Sequence, residues 1–505
     1  MSCGAIASVV VVATVCAPMT AGAQAAASSR RAPTHVPISC RTGTGARLSL
    51  AQRITCLLNA RPFNRALWGI AIADPHNRIV FERNARRLFV PASDVKLVVT
   101  AVAAALLPPD YRYRTSVYAA GPVVGGVVRG DLVLYGRGDP TLSGRDFPSV
   151  FAAFDELADT LRRRGVARVA GDLVGDASYF DSATVHPSWQ SYDLNWWYAA
   201  PVTALAFNDN SVDFLVSPGP PNQPPAITFQ PDLGLVQFAN RARTVTADST
   251  RTLDFFRLPG TNVVWAEGGL PAGAEPDTEY FAIHDAPAYA AAAFRRSLES
   301  RGIAVGGRVR TTFDSTAYSA ARLGAPLAEH FSPPLPNIIR PILETSQNWF
   351  AEMLLKTLGR ELRGEGTWAA GLDVERRFLI DSLRVDSTLF ALVDGSGLST
   401  WNLMAPRALV QLLLRMGDHP RAAPFLDALP VSGLTGTLQR RFGTTQLAGR
   451  VRAKTGSINH VNTLAGYLEL ADGRVWTFSI ELNNHAGTER EALARIDAIV
   501  ATLAR

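Results

Sequence analysis

Pro91-Ala92-Ser93-Asp94-Val95-Lys96-Leu97 decides the fold, because it opens the long apolar run of residues 95–107. Pro91 precedes this run and Pro108-Pro109 ends it, so we predict a buried helix with Ser93 in its first turn. Ser93 and Lys96 are three residues apart, which places both side chains on one face of the helix and within contact. A neutral lysine beside a serine is a base that can activate the hydroxyl as a nucleophile.

Lysine is rare in this chain of 505 residues: of 50 Lys and Arg side chains, only Lys96, Lys356 and Lys454 are lysine. Arginine cannot be deprotonated in a protein, whereas a buried lysine shifts its pKa readily. A chain that favours arginine therefore keeps lysine where a titratable amine is needed. Lys356 limits this argument, because it follows Glu352 by four residues on a predicted helix and is expected to form an exposed ion pair.

Two later motifs accompany the Ser93–Lys96 pair. Ser346-Gln347-Asn348 opens a predicted helix and supplies a hydroxyl and an amide, and Lys454-Thr455-Gly456-Ser457 lies at the end of a predicted strand, residues 450–454. In the second motif Lys454 and Thr455 can bind a carboxylate, and Gly456 lets a substrate backbone come close. Ser-x-x-Lys alone is a weak signal, but three motifs in this order are typical of serine acyl-transferases that use lysine as the base.

Other chemistries lack their motifs. No lysine follows a glycine-rich run, as a phosphate-binding loop requires, and there is no His-Glu-x-x-His. Gly397-Leu398-Ser399-Thr400-Trp401 approaches a nucleophile elbow but ends in Trp. The 8 histidines are scattered, so we expect neither a metal nor another cofactor. The net charge of +6 comes without a basic stripe, which argues against a nucleic-acid partner.

The first 23 residues are typical of a secretory signal peptide, with no charged side chain and a small-x-small cleavage site at Ala21-Gly22-Ala23. Their apolar stretch is shorter than the roughly 20 residues that cross a bilayer, and no later segment is long enough, so we expect no transmembrane span in the mature protein. Cleavage leaves Cys40 and Cys56, which are predicted to form a disulfide in an oxidising compartment.

The three motifs resemble those of low-molecular-mass class C penicillin-binding proteins, the D-alanyl-D-alanine carboxypeptidase/endopeptidases. The resemblance covers nearly all of the mature chain. Asp94 and Arg137 depart from the usual family pattern, but neither removes a catalytic group. Family-like segments outside the motifs strengthen the resemblance: Gly138-Asp139-Pro140-Thr141-Leu142, Ala200-Pro201-Val202, Asn208-Asp209-Asn210, Asp394-Gly395-Ser396-Gly397-Leu398-Ser399 and Gly436-Thr437-Leu438.

The resemblance implies an α/β (α+β) fold: a penicillin-binding/β-lactamase-like transpeptidase domain, with an antiparallel sheet flanked by helices, and two smaller inserted domains. After a signal peptide (1–23), the catalytic domain would be discontinuous, built from residues 24–100 and 320–505. Residues 101–217 and 273–319 would form inserted domain II. Residues 218–272, which are rich in Pro and Thr without a convincing helix, would form a small all-β inserted domain III.

The resemblance also implies a periplasmic serine peptidase that cleaves peptidoglycan stem peptides and is trapped by β-lactam antibiotics. Ser93 would attack the carbonyl of the penultimate D-Ala, with Lys96 as the base. Ser346 and Asn348 would complete the proton path and hold Lys96 and the substrate amide. The other expected contacts are to the terminal carboxylate, from Lys454 and Thr455, and to the oxyanion, from the backbone N–H groups of Ser93 and Ser457.

Two other functions remain open from the sequence. A β-lactamase or esterase would use the same Ser93–Lys96 pair and would turn over a cephalosporin rapidly. A non-catalytic cell-wall-binding protein would bind muropeptides without forming an acyl adduct, although the intact motif set argues against it.

Overall fold

The computed structural model describes residues 48–145, 147–443 and 445–504. The predicted signal peptide and Cys40 lie outside the described residues. Cys56 is disulfide-bonded, and its pairing with Cys40 stays a prediction.

The secondary structure alternates between helical and β segments along the chain. The helices are α1 (Leu50–Asn59), α2 (Lys96–Leu106), α3 (Ala152–Arg163), α4 (Ala286–Ser300), α5 (Ser319–Arg322), α6 (Leu335–Glu344), α7 (Asn348–Arg363), α8 (Trp368–Arg377), α9 (Pro406–Gly417), α10 (Ala423–Asp427) and α11 (Glu489–Ala501). The strands are β1 (Leu67–Ala73), β2 (Ile79–Arg83), β3 (Arg114–Ala119), β4 (Val123–Val124), β5 (Val127–Val128), β6 (Leu132–Tyr135), β7 (Arg168–Val169), β8 (Leu173–Asp176), β9 (Ser211–Ser217), β10 (Ala226–Gln230), β11 (Gln237–Asn240), β12 (Arg243–Val245), β13 (Asp254–Arg257), β14 (Val263–Glu267), β15 (Gly269–Pro271), β16 (Asp277–Ala282), β17 (Ala304–Val305), β18 (Val309–Thr312), β19 (Ala328–Phe331), β20 (Phe390–Ala391), β21 (Leu403–Met404), β22 (Val451–Ile458), β23 (Val461–Glu469) and β24 (Val475–Asn483).

An antiparallel sheet with the strand order β2-β1-β24-β23-β22 carries the Lys454-Thr455-Gly456 motif on its edge strand β22. Strand β1 pairs with β24 from Leu67 opposite Asn483 to Ala73 opposite Thr477, so distant parts of the chain meet at its centre. Strand β22 pairs with β23 along its whole length. It therefore runs through Lys454 to Ile458, four residues beyond the predicted end of this strand.

Helices cover both faces of this sheet because successive side chains of a strand point to opposite sides. Ile70 and Ile72 pack on one face with residues of α1 and α11. Ala71 and Ala73 pack on the other face with Val410 of α9. Helix α2 lies in the larger core on that side, together with α6, α7 and α8, and its residues from Lys96 to Ala105 are buried. A helix that is buried all round explains the uninterrupted apolar run in the sequence.

The region between α2 and α6 contains separate sheets. One has the order β18-β8-β6-β3-β19 and packs against α3 and α4. Strand β19 belongs to it through pairing with β3, although residues 328–331 fall on the catalytic side of the predicted boundary at 320. Strand β9 pairs with both β10 and β16, and β9 and β16 lie outside the predicted limits of 218 and 272. The wider division into domains stays a prediction.

Candidate active site

Ser93 and Lys96 are in direct contact at the start of α2. A short 3-10 helix, Ala92–Val95, precedes α2, and Lys96 Nζ lies 2.8 Å from Ser93 Oγ. Lys96 is fully buried, and Ser93 is 8% exposed. Ala92 has a φ of +46°, in the left-handed region that costs a non-glycine residue of order 1–3 kcal/mol. This turn lets the chain enter the helix with the serine at its tip.

Lys96 is held by three acceptors. Its Nζ donates to Asn348 Oδ1 at 2.7 Å and to the Ser396 carbonyl oxygen at 2.6 Å, in addition to Ser93 Oγ. Burial lowers the pKa of Lys96 well below 10.5, and the charge of Lys454 lowers it further. When Lys96 is neutral, its two N–H groups donate to Asn348 and Ser396, and its lone pair then faces the Ser93 hydroxyl. The geometry thus suits a base that removes the serine proton.

Ser346 and Lys454 form a second serine–lysine pair beside the first. Lys454 Nζ donates to Ser346 Oγ at 2.9 Å and to the Thr455 carbonyl oxygen at 2.6 Å. Burial lowers the pKa of Lys454 to about 8, although Asp94 opposes the shift. Ser346 has a φ of +65°, and the chain turns there before α7 begins at Asn348. Lys454 is fully buried and Ser346 is its side-chain partner, whereas Thr455 is partly exposed.

Strand β22 runs alongside Ser93. A Cβ added at Gly456 would lie 2.3 Å from Thr463 Oγ1 and 3.0 Å from the Ser93 nitrogen, so only glycine fits this approach. Ser457 follows at the end of the motif, where its Oγ accepts from Asn462 Nδ2 at 2.9 Å. Thr455 Oγ1 donates to Thr437 Oγ1 at 2.9 Å. Two neighbouring hydroxyls therefore face the open side of the site.

The structure adds groups to which the sequence assigned no role. The Ser396 carbonyl reaches Lys96, Thr437 pairs with Thr455, and the Tyr198 carbonyl accepts from Asn348 Nδ2 at 3.1 Å. The bond from Tyr198 fixes the orientation of the Asn348 amide, so its oxygen faces Lys96. Ser396 and Thr437 lie in two of the family-like segments, and this resemblance was the signal in the sequence that could have indicated a role for them. Tyr198 contributes only its backbone carbonyl, so its residue type gave no signal in the sequence.

The prediction of an exposed Glu352–Lys356 ion pair was wrong. Lys356 is fully buried, and its Nζ donates to Asp181 Oδ1 at 2.7 Å and to the Ala183 carbonyl oxygen. It also lies 3.9 Å from the centre of the Trp368 ring. Helix α7 is buried along most of its length, so spacing that usually indicates a surface pair here places both charges in the core.

Asp94, which directly follows Ser93, is also buried. Burial raises the pKa of its carboxyl to about 7, although Lys454 lowers it.

The described residues contain no group of three or more His, Cys, Asp or Glu side chains arranged to hold a metal ion. Within the same described ranges, every helix is too short or too polar to span a membrane.

The sequence is similar to those of known proteins over most of its length. A profile of the D-Ala-D-Ala carboxypeptidase 3 (S13) family matches residues 50–505. The chain is 35% identical to the D-alanyl-D-alanine carboxypeptidase of Actinomadura sp. (strain R39) over 475 residues, which cover 91% of this chain and 86% of that protein. It is 27% identical to the D-alanyl-D-alanine carboxypeptidase DacB of Haemophilus influenzae, covering 82% and 85%.

A solved structure shares the fold over most of the chain. The crystal structure of penicillin-binding protein 4 (dacB) from Haemophilus influenzae superposes with a TM-score of 0.79 at 26% identity, covering 89% of this chain and 98% of that one. The predicted penicillin-binding fold class is thereby confirmed.

Proposed function

The chain belongs to the D-Ala-D-Ala carboxypeptidase 3 (S13) family, and on that basis we propose that Ser93 is its nucleophile and Lys96 the base in cleavage of peptidoglycan stem peptides. The 2.8 Å contact between Lys96 Nζ and Ser93 Oγ in a buried setting carries this proposal. Family membership confirms the resemblance inferred from the three motifs, and it identifies the protein as a serine-type carboxypeptidase.

The first half of the reaction forms an acyl-enzyme. Lys96 takes the Ser93 proton, and the serine oxygen attacks the carbonyl carbon of the penultimate D-Ala. The N–H groups of Ser93 and Ser457 receive the developing oxyanion, a contact that typically contributes roughly 3–4 kcal/mol per donor. The peptide bond then breaks, and the terminal D-Ala leaves with a proton passed back through Lys96 or Ser346.

The second half returns the free enzyme. A water molecule gives its proton to the same base, attacks the ester carbonyl of the acyl-enzyme and releases the shortened peptide, while the Ser93 oxygen regains its proton. Thr455 and Thr437 offer hydroxyls to the terminal carboxylate, and Lys454 supplies positive charge from beneath. These steps balance without a metal or another cofactor.

β-Lactams would acylate the same serine, since their strained amide occupies the position of the scissile bond. A Haemophilus influenzae penicillin-binding protein 4 structure holds a β-lactam, which supports this extension. We further propose that residues 1–23 direct export and that the enzyme acts in the periplasm, where its substrate lies.

A fluorescent penicillin tests the assignment directly. The wild-type protein should be labelled with one adduct per chain and should release D-Ala from a synthetic stem pentapeptide, whereas Ser93→Ala should do neither while keeping its circular dichroism spectrum. Labelling that persists in Ser93→Ala would overturn the assignment. Rapid turnover of a chromogenic cephalosporin without D-Ala release would identify a β-lactamase instead.

A further inference from the structure

Two buried carboxylates, Glu352 and Asp394, bind the backbone of the loop that reaches Lys96. Glu352 lies on the first turns of α7 and accepts from the backbone N–H of Ser396 at 2.7 Å and of Gly395 at 3.1 Å. Its other oxygen accepts from Trp368 Nε1 at 2.8 Å. All three of these groups donate to the Glu352 carboxylate. A side chain that carries N–H groups of its own could not accept all of these hydrogen bonds.

Asp394 holds the next peptide unit of the same loop. It accepts from the N–H of Gly397 and of Ser399, each at 2.8 Å. The Gly397 N–H and the Ser396 carbonyl belong to one trans peptide group, so they point in opposite directions. When Asp394 binds the N–H, the carbonyl must face the other way, and there it lies 2.6 Å from Lys96 Nζ.

We infer that Glu352 and Asp394 are positioning residues of the reaction, which hold residues 395–397 so that the Ser396 carbonyl fixes Lys96 against Ser93. The inference rests on the proposed function, because it assigns a purpose to the orientation of the base. Lys96 Nζ donates hydrogen bonds to Asn348 and to the Ser396 carbonyl. The lone pair of the neutral amine then points at Ser93. Both carboxylates are fully buried, so they act through the loop and not on the substrate.

The charges around Lys96 give the two carboxylates a second, electrostatic effect. Lys454 on β22 lowers the pKa of Lys96, whereas Asp394 in the loop, Glu352 on α7 and Asp94 beside the nucleophile raise it. Burial raises the pKa of Glu352 to about 7, and the charge of Asp394 raises it further. Loss of the charge of either Glu352 or Asp394 therefore lowers the pKa of Lys96, and the neutral base forms at lower pH.

Glu352→Gln and Asp394→Asn test the inference, with Glu375→Gln as the matched control. Each test variant keeps the size of the side chain but presents an N–H group to a donor. Glu375 is a third buried carboxyl of the same cluster, and neither of its oxygens has a hydrogen-bond partner among the described residues. Burial raises the pKa of Glu375 well above its ordinary value, so its replacement by neutral glutamine changes no charge near pH 7.

The readouts are the second-order rate constant of labelling by a fluorescent penicillin and its pH dependence, both measured on the fraction that labels. Both test variants should label roughly 10- to 100-fold more slowly, and both should shift the rising part of the profile to lower pH. Glu375→Gln should match the wild type in both. A reduced labelled fraction with an unchanged rate constant and pH profile would mean a purely structural role and would overturn the inference.

Different results would reject this inference and the proposed function. Wild-type kinetics in Glu352→Gln and Asp394→Asn, together with loss of labelling in Ser93→Ala, would reject the positioning role alone. Labelling of Ser93→Ala would reject the nucleophile itself.

Discussion

Replacing Gly397 by alanine should move the loop of residues 395–397 away from Ser93. Gly397 has a φ of +79°, and an added Cβ would lie 1.8 Å from the Ala92 carbonyl oxygen. Real Cβ atoms essentially never come closer than 3.0 Å, so the two backbones must separate by about 1.2 Å. The Ser396 carbonyl directly precedes Gly397, and Ala92 directly precedes Ser93. The separation therefore opens the contact between Lys96 and Ser93.

The size of the effect follows from this displacement. A misplacement of about 1 Å in a catalytic geometry can cost roughly 10²-fold in rate, so Gly397→Ala should lower the labelling rate constant by about that factor. The left-handed backbone adds a stability cost of about 1–2 kcal/mol. Gly364→Ala is the matched control, because Gly364 ends α7 with a φ of +81° and has nothing within 4 Å of an added Cβ.

The assay measures labelling by a fluorescent penicillin over time and urea unfolding of the same preparations. Gly364→Ala should lose about 1–2 kcal/mol of unfolding free energy and keep its labelling rate. Gly397→Ala should lose more stability and label slowly. Equal labelling rates for the two variants would refute the argument that contact at Ala92 sets the geometry of the site.

Three further predictions concern the lysines. Lys96→Arg keeps the positive charge but cannot act as a base, so labelling should slow by roughly 10²–10⁴-fold, and a wild-type rate would mean that Lys96 is not the base. Because burial lowers the pKa of Lys96 well below 10.5, the wild-type labelling rate should rise with pH as the amine loses its proton and level off well below pH 10.5; a profile independent of pH would contradict this. Lys356→Met leaves Asp181, whose side chain is 33% exposed, without its cation, and should lower the unfolding free energy by about 2–3 kcal/mol in urea. Adding Asp181→Asn should restore part of that loss, and no restoration would mean that the ion pair is not its source.

The local part of the site could be predicted because it follows from helix geometry. Ser93 and Lys96 stand one turn apart, and this spacing brings them together in any helix. The contact between Lys454 and Ser346 spans 108 residues, and only the family resemblance indicated it. The Ser396 carbonyl is a backbone group, which every residue type supplies, so no sequence pattern reveals that it contacts Lys96.

Lys356 shows how a spacing rule fails when burial is not considered. A Glu and a Lys four residues apart usually mark a solvent-exposed helix face. Here Trp349, Phe350 and Leu354 make the helix apolar on several sides, and such a helix is buried all round. The apolar residues around the pair were the better guide to where its charges lie.

The pairing of β1 with β24 sets the time at which the enzyme becomes complete. Lys96 and Asn348 are separated by 252 residues, which a ribosome adding roughly 5–20 residues per second needs about 10–50 s to synthesise. The nascent chain thus carries Ser93 and Lys96 long before Asn348, Lys454 and the strand that closes the sheet. A partly synthesised chain therefore has no assembled site, because the groups that hold Lys96 in place are not yet present.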